Sequence, residues 1–185
     1  LHAAAKTIME NYNGAFPYKY EDVLALKGIG EYTAAAIVSF AYNEPYAVVD
    51  GNVYRVLSRI FEIETPINSN KGKKEFAELA QSVLDDNNPG EHNQAIMEFG
   101  ALQCTPVNPN CIECPAQDMC LAYAANKVTA YPVKEKKQKV RERYFNYIDI
   151  RSKGYMFLHK RQAKDIWQNL YELPLIETER ELDIE

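Results

Sequence analysis

Four cysteines lie within seventeen residues of the sequence, in the stretch CTPVNPNCIECPAQDMC from Cys104 to Cys120. Their spacing is C-x6-C-x2-C-x5-C, and the chain has no other cysteine. Disulfides, zinc, an iron–sulfur cluster and chance are the alternatives. Structural zinc sites usually combine two close ligand pairs separated by a longer stretch of chain. One compact loop that supplies four thiolates favours a [4Fe–4S] cluster over zinc, although spacing alone leaves both open.

A second candidate for chemistry is AVVDGNVYRV, residues 47–56, in which Asp50 follows an apolar run and precedes a helix. Asp and Asn are favoured N-cap residues, so a purely structural role is the simpler interpretation. The same position also suits a catalytic carboxylate, because its negative charge can stabilise a nearby cationic transition state. The two roles are compatible.

The stretch LKGIGEYTAAA, residues 26–36, places Gly28 and Gly30 between two short helices. The glycines allow a tight turn, and the amides there lie at the N-terminus of the second helix, where the helix dipole favours an anion. A phosphate can approach these amides closely because neither glycine carries a side chain. A glycine that simply ends the first helix is the alternative interpretation.

Apolar periodicity and helix breakers predict the elements that position these residues. We expect helices at 1–12, YEDVLAL, EYTAAAIVSFAY, VYRVLSRIF, KKEFAELAQSVLDD and NQAIMEFGALQC, so that residues 1–125 are almost entirely helical. Further along, YFNYIDI and YMFLHKR alternate on either side of SKG, which predicts a β-hairpin. The change from helices to strands places a domain boundary near 127–143.

Composition limits the classes of protein to which the chain can belong. The 185 residues are 46% hydrophobic, enough for a core, and no apolar run is long enough to span a bilayer or resembles a signal peptide. We therefore expect no membrane partner and a location in the cytosol or nucleus, where thiols stay reduced. The net charge of −5 does not indicate a nucleic-acid binder. The basic run KEKKQKVRER at 134–143 is most simply a solvated linker.

The order of the three motifs (glycine hairpin, VDGNV and cysteine set) resembles the helix–hairpin–helix DNA glycosylase superfamily related to endonuclease III. Tyr32 stands where bifunctional members carry a nucleophilic Lys, and with NQAIMEFGALQC and the strand-rich end it looks like the MutY-type adenine glycosylases. The resemblance implies a mainly α fold. Residues 1–126 would be the glycosylase helical domain with its Fe–S cluster loop, 127–143 a basic linker, and 144–185 the start of a β-rich Nudix-like domain.

The resemblance also implies a function and a set of site residues. Adenine mispaired with 8-oxoguanine or guanine in double-stranded DNA would be flipped out and released through an oxocarbenium-like transition state, without strand cleavage. Asp50 would stabilise the cationic sugar, Asn52 would assist, and Tyr32 would line the site. The other implied residues are Gln94 and Met97 in the base pocket, Lys27, Gly28, Ile29 and Gly30 at a DNA phosphate, and Cys104, Cys111, Cys114 and Cys120 on a [4Fe–4S] cluster.

Several expectations qualify this set. A monovalent or calcium cation on hairpin carbonyls such as those of Leu24 and Ile29 is a further implication of the resemblance. Lys27 replaces a proline that is common in the family and adds a possible phosphate contact. Gln94 and Met97 have an equally good alternative as ordinary helix residues in a core.

The family's general-acid glutamate and its duplex wedge come from a region before the hairpin. The sequence opens in mid-helix with LHAAAKTIMENY, so we expect an internal fragment that starts after this region. Such a fragment would be inactive or nearly so, because general acid catalysis contributes about 10²–10⁴-fold. The resemblance also implies a cytoplasmic, nucleoid-associated location of bacterial type. The alternatives are an endonuclease III-like glycosylase of other base specificity and a non-catalytic DNA-binding or Fe–S redox module. Residues 1–133 carry nine Lys and Arg against sixteen Asp and Glu, which lends weight to the non-catalytic alternative.

Overall fold

The computed structural model describes residues 1–135 and 142–182. The chain divides into two compact units, Leu1–Lys136 and Lys137–Glu185. Most of the basic run at 134–143, namely 136–141, lies outside the described residues. The three-part division into 1–126, 127–143 and 144–185, with a Nudix-like start for the last part, stays a prediction.

The first unit is helical, as predicted, and the mainly α fold is confirmed. Single 3₁₀ turns occur at Gln117–Met119 and Val128–Ala130. The helices are α1 (His2–Asn11), α2 (Tyr20–Leu24), α3 (Glu31–Tyr42), α4 (Gly51–Ile60), α5 (Asn70–Ser82), α6 (Pro89–Leu102) and α7 (Leu121–Ala124).

Local signals set the ends of several helices. The Ser69 hydroxyl accepts a hydrogen bond from the Gly72 amide at 2.9 Å and caps α5. Pro89 begins α6, where its missing N–H costs nothing. Asn43 ends α3 in the left-handed conformation, with φ of 56°. The helix bounds therefore follow from capping residues that the sequence displays.

Helix α4 lies at the centre of this unit. Val53 and Leu57 of α4 pack with Phe76 and Ala80 of α5 in one buried cluster. A second cluster, formed by Val23, Ala34 and Val38, joins α2 to α3. Burial of these apolar side chains supplies the main driving force for the helical unit, because each fully buried Val, Leu or Phe contributes about 1.5–3 kcal/mol.

The second unit is built from three antiparallel pairs of short strands. Strand β1 (Tyr144–Tyr147) pairs with β6 (Leu175–Thr178), β2 (Arg151–Ser152) with β3 (Tyr155–Met156), and β4 (His159–Lys160) with β5 (Tyr171–Glu172). The guanidinium of Arg143 donates to both oxygens of Glu177 at 2.6 Å. It also bonds Asp165 and thereby lowers the pKa of that carboxyl to about 2.

The predicted hairpin is confirmed only at its turn. Lys153 and Gly154 have φ of 49° and 82°, which is the geometry of a tight hairpin connection between β2 and β3. The rest of the prediction is wrong, because YFNY pairs with β6, some thirty residues further along, with Tyr144 opposite Thr178. Alternation identifies strands but not their partners.

None of the helices in the described parts of the chain combines the length and the apolar character that crossing a bilayer requires.

Candidate functional site

The carboxylate of Asp50 caps the N-terminus of α4. Its Oδ1 accepts hydrogen bonds from the backbone amides of Asn52 and Val53, both at 2.8 Å. Its Oδ2 accepts one from the side-chain amide of Asn52, at 2.9 Å. A carboxylate has about four lone-pair positions on its two oxygens. The capping bonds therefore fix the orientation of Asp50, which is half-buried, and leave room for one more contact on Oδ2.

A buried arginine extends this arrangement along α4. Arg55 is 8% exposed, and its Nη2 donates to Asn52 Oδ1 at 2.9 Å. The same guanidinium donates to the carbonyl of Gly100 at 2.5 Å and to that of Cys104 at 2.7 Å. Burial lowers the pKa of Arg55 from its usual value, and Cys104 and Asp50 oppose that change. Asn52 is thus held from both sides, by Asp50 and by Arg55.

Gly100 lets α6 approach the start of α4 closely. A Cβ atom on Gly100 would lie 2.7 Å from Cβ of Asn52 and 3.1 Å from its backbone oxygen. Only glycine fits this contact without displacement of one of the two helices. The glycine in NQAIMEFGALQC therefore has a packing reason that concerns the site directly.

We expect Gly100→Ala to lower the free energy of unfolding by about 1–3 kcal/mol, because the new methyl group overpacks the contact with Asn52. Gly51→Ala is the matched control, since a Cβ there meets nothing within 4 Å. Denaturant unfolding of both variants measures the difference. Equal stabilities would show that the helices separate at no cost and that Gly100 does not position Asn52.

Asn93 holds the segment that leads to Asp50. Its side chain, 1% exposed, accepts from the Val48 amide at 2.9 Å and donates to the Tyr46 carbonyl at 2.9 Å. These two bonds give hydrogen-bond partners to the backbone of residues 46–48. That segment pairs with no strand in the described residues of this unit. Removal of either partner would leave a buried polar group unpaired, at a cost of about 1–3 kcal/mol.

The glycine hairpin has the geometry that an anion site needs. Gly28 adopts φ of +92°, which favours glycine, and the Ile29 amide donates to the Leu26 carbonyl at 3.1 Å. Gly30 is the N-cap of α3 and supplies no side-chain capping bond. A Cβ on either glycine would meet nothing within 4 Å, so the approach to these amides is open.

The other two predicted hairpin residues differ in their exposure to solvent. Lys27 is exposed, and Ile29 is half-buried against the cluster that joins α2 to α3. Backbone amides in the turn donate hydrogen bonds to the carbonyls of Glu21, Val23 and Leu26. A cation on the carbonyls of Leu24 and Ile29 remains a prediction.

Tyr32, Gln94 and Met97 lie on two helices. Tyr32 is 48% exposed in the first turn of α3, and Gln94 is exposed on α6. Met97 packs against the central core cluster, which agrees with its alternative as a core residue. Burial, and after it the charge of Glu31 at the start of α3, raises the pKa of Tyr54. The roles of these three residues stay predictions.

The four cysteines line one cavity at the end of α6, with an empty volume of about 380 Å³ including space open to solvent. All four are free and half-buried. Burial, followed by the negative charges of the other three cysteines, raises the pKa of the Cys111 thiol, and Arg59 opposes that change.

The cysteine set is predicted to hold a cluster rather than a single ion. In the described parts of the chain, no group of three or more His, Cys, Asp or Glu side chains is arranged to hold one metal ion. A [4Fe–4S] cluster makes a different demand, because its four thiolates bind different iron atoms around a bulky core. Four thiols around a shared cavity meet that demand, and the cluster stays a prediction.

Sequence reasoning missed four residues that organise the site: Arg55, Arg59, Asn93 and Gly100. Each contacts at least one residue that lies about forty or more positions away in the sequence, such as Val48 for Asn93. One signal was available, since VYRVLSRIF places two arginines at a four-residue spacing within an otherwise apolar helix. Charged residues on a buried face indicate specific partners.

Comparison with known proteins gives three findings. The helix-hairpin-helix motif matches residues 11–40. An adenine DNA glycosylase of Buchnera aphidicola subsp. Schizaphis graminum is 33% identical over 178 residues, which cover 96% of this chain and 51% of that relative. The chain thus spans about half the length of this relative. An Arabidopsis thaliana adenine DNA glycosylase is 35% identical over 99% of this chain and 31% of its own length.

A solved structure of a thermostable thymine-DNA glycosylase superimposes with a TM-score of 0.61 and 31% identity, over 66% of this chain and 56% of that one.

Proposed function

Because this chain belongs to the helix–hairpin–helix DNA glycosylases, in their MutY-type branch, we propose that it acts in base-excision DNA repair as an adenine glycosylase. The substrate would be double-stranded DNA with adenine opposite 8-oxoguanine or guanine. The observation that carries this proposal is the carboxylate of Asp50, fixed by three hydrogen bonds at the start of α4.

The chemistry assigned to Asp50 is electrostatic. When the N-glycosidic bond breaks, positive charge develops on the sugar, and a fixed carboxylate stabilises that charge without having to reorganise. Oδ2 carries a single hydrogen bond, from Asn52, and is the oxygen with room to face the sugar. Asn52 is a positioning residue in this scheme, since Arg55 holds its Oδ1 while its amide holds Asp50.

DNA binding is assigned first to the hairpin. The amides at Gly28 and Gly30 offer an open, uncapped helix N-terminus, which suits a backbone phosphate. Lys27 is exposed in the same turn and adds a positive charge. Tyr32 at the start of α3 would then lie beside the flipped nucleotide, and Gln94 and Met97 would contact its base.

The cofactor assigned to this protein is a [4Fe–4S] cluster on Cys104, Cys111, Cys114 and Cys120. When bound, the cluster supplies a redox-capable centre and cross-links the loop between α6 and α7. The hydrolytic step needs no redox chemistry, so we assign the four cysteines to folding and positioning. The Cys104 carbonyl is a shared acceptor of Arg55 and Arg59, which ties the loop to α4.

The test is release of adenine, under single-turnover conditions, from a duplex with adenine opposite 8-oxoguanine. The natural protein that contains this sequence should release adenine and leave an intact strand that breaks only after alkali. A duplex with adenine opposite thymine is the control and should stay intact.

Two results would contradict the proposal. Strand cleavage at the rate of base release would indicate an endonuclease III-like lyase. Duplex binding without release of any base would indicate a non-catalytic DNA-binding module.

A further inference from the structure

Arg59 is the most deeply buried charged side chain of the helical unit, with 2% exposure. It lies on α4 one turn beyond Arg55, and its guanidinium faces the cysteine cavity. Its nitrogens donate to Cys104 Sγ at 3.3 Å and to the carbonyls of Thr105 (2.8 Å), Val128 (3.0 Å), Tyr131 (3.3 Å), Pro106 (3.4 Å) and Cys104 (3.5 Å).

These acceptors satisfy the hydrogen-bonding capacity of Arg59 but not its charge. Carbonyl oxygens carry only partial negative charge, and no ion pair joins Arg59 to a carboxylate of residues 1–135 or 142–182. A buried cation without a counter-charge is strongly unfavourable. Arg161 of the second unit, which is similarly buried, shows the usual solution, since it pairs with Glu172 and Asp165.

The missing counter-charge points to the cysteines. Arg59 Nη1 contacts Cys104 Sγ, and Cys120 Sγ lies 3.5 Å from the Arg59 carbonyl oxygen. Four thiolates around a [4Fe–4S] core form a net anion. We infer that Arg59 is the charge-compensating and positioning residue of the cluster, pairing its guanidinium with the thiolate of Cys104. This inference rests on the proposed cluster.

Two consequences distinguish this role from simple packing of a loop. A cation with an N–H donor at a ligand sulfur stabilises the more negative, reduced cluster, so its removal shifts the midpoint potential to more negative values. Residues that hydrogen-bond to metal ligands also affect how tightly the metal is held. Their loss typically lowers the metal affinity 10–100-fold. A residue that only ties carbonyls together would change stability but not potential.

The experiment compares the unaltered chain, reconstituted with iron and sulfide without oxygen, with Arg59→Met and Arg59→Lys. The readouts are iron per chain, cluster loss in competition with a chelator, and midpoint potential by voltammetry. Arg59→Met should hold iron roughly 10–100-fold more weakly and shift the potential to more negative values. Arg59→Lys keeps the charge and should retain most of the potential, although it loses the forked bonds to the carbonyls.

Arg55→Met is the matched control, because Arg55 is also buried on α4 but is bonded to carbonyls and to Asn52 rather than to a sulfur. Its potential should move less than that of Arg59→Met. If Arg59→Met fails to fold, Arg59→Gln takes its place, because Gln removes the charge and keeps an N–H donor, and its potential should also shift to more negative values.

Equal potentials in all variants, or a shift in Arg59→Lys as large as in Arg59→Met, would overturn the role of Arg59 and leave the proposed cluster intact. If the unaltered chain takes up no iron, the cluster proposal is wrong and the assignment of Arg59 falls with it.

Discussion

Asp50→Asn should abolish most adenine release at only a small cost in stability. Asn is as good an N-cap as Asp, and its Oδ1 can accept the same bonds from the amides of Asn52 and Val53. The negative charge is lost, and with it the bond that Oδ2 accepts from the Asn52 side-chain amide, because the new amide nitrogen is a donor. Removal of a preorganised electrostatic group typically costs about 10²–10³-fold in kcat, and we expect a loss of at least that size. The single-turnover rate, measured beside the denaturation midpoint, checks both parts.

Asp85→Asn is the control for the change in net charge. Asp85 is exposed, and its Oδ1 accepts from the Asn87 amide at 3.0 Å in a turn far along the chain from the site. Its rate should match that of the unaltered protein. A normal rate in Asp50→Asn would mean that Asp50 is only a helix cap and that the charge opposite the sugar comes from another residue.

The second large effect is expected from Cys111→Ser. Loss of one of four ligands should empty the cavity of iron and release the loop between α6 and α7, because ligand binding and local folding are coupled. Loss of a bound metal group belongs to the changes that cost more than about 4 kcal/mol. Iron content, visible absorbance and denaturant unfolding measure the loss.

Met119→Ser introduces the same residue into the same loop at an exposed position. It should keep the iron and unfold at nearly the same denaturant concentration as the unaltered chain. Full iron content in Cys111→Ser would show that the cluster does not need Cys111 as a ligand.

The local part of this architecture was predictable from the sequence. Helix α3 begins after Gly30 and ends at Tyr42, as predicted from the glycine before it and the Asn43–Pro45 break after it. The cap at Asp50 was predictable for the same reason, since N-cap preferences act over three or four residues.

The non-local part was not predictable. Periodicity shows that α4 has a buried face, but not that Arg55 and Arg59 lie on it with the carbonyls around Cys104 as acceptors. The pairing of β1 with β6 could not be predicted for the same reason. Such contacts depend on which distant segment packs against a residue, and only the assembled fold determines that.

The two hydrogen bonds of the Asn93 side chain affect the order in which the protein becomes functional during synthesis. Val48 and Asn93 are separated by 45 residues, so their bond forms only after α6 has been made and has docked. Contacts with long sequence separation pay loop-closure entropy before they contribute stability, and they form late. Helix α4 can fold locally as it leaves the ribosome, but the segment before Asp50 has no fixed direction until α6 arrives. A chain stalled before Asn93 would therefore contain Asp50 as the cap of its helix, but the segment that leads to Asp50 would not be held in place.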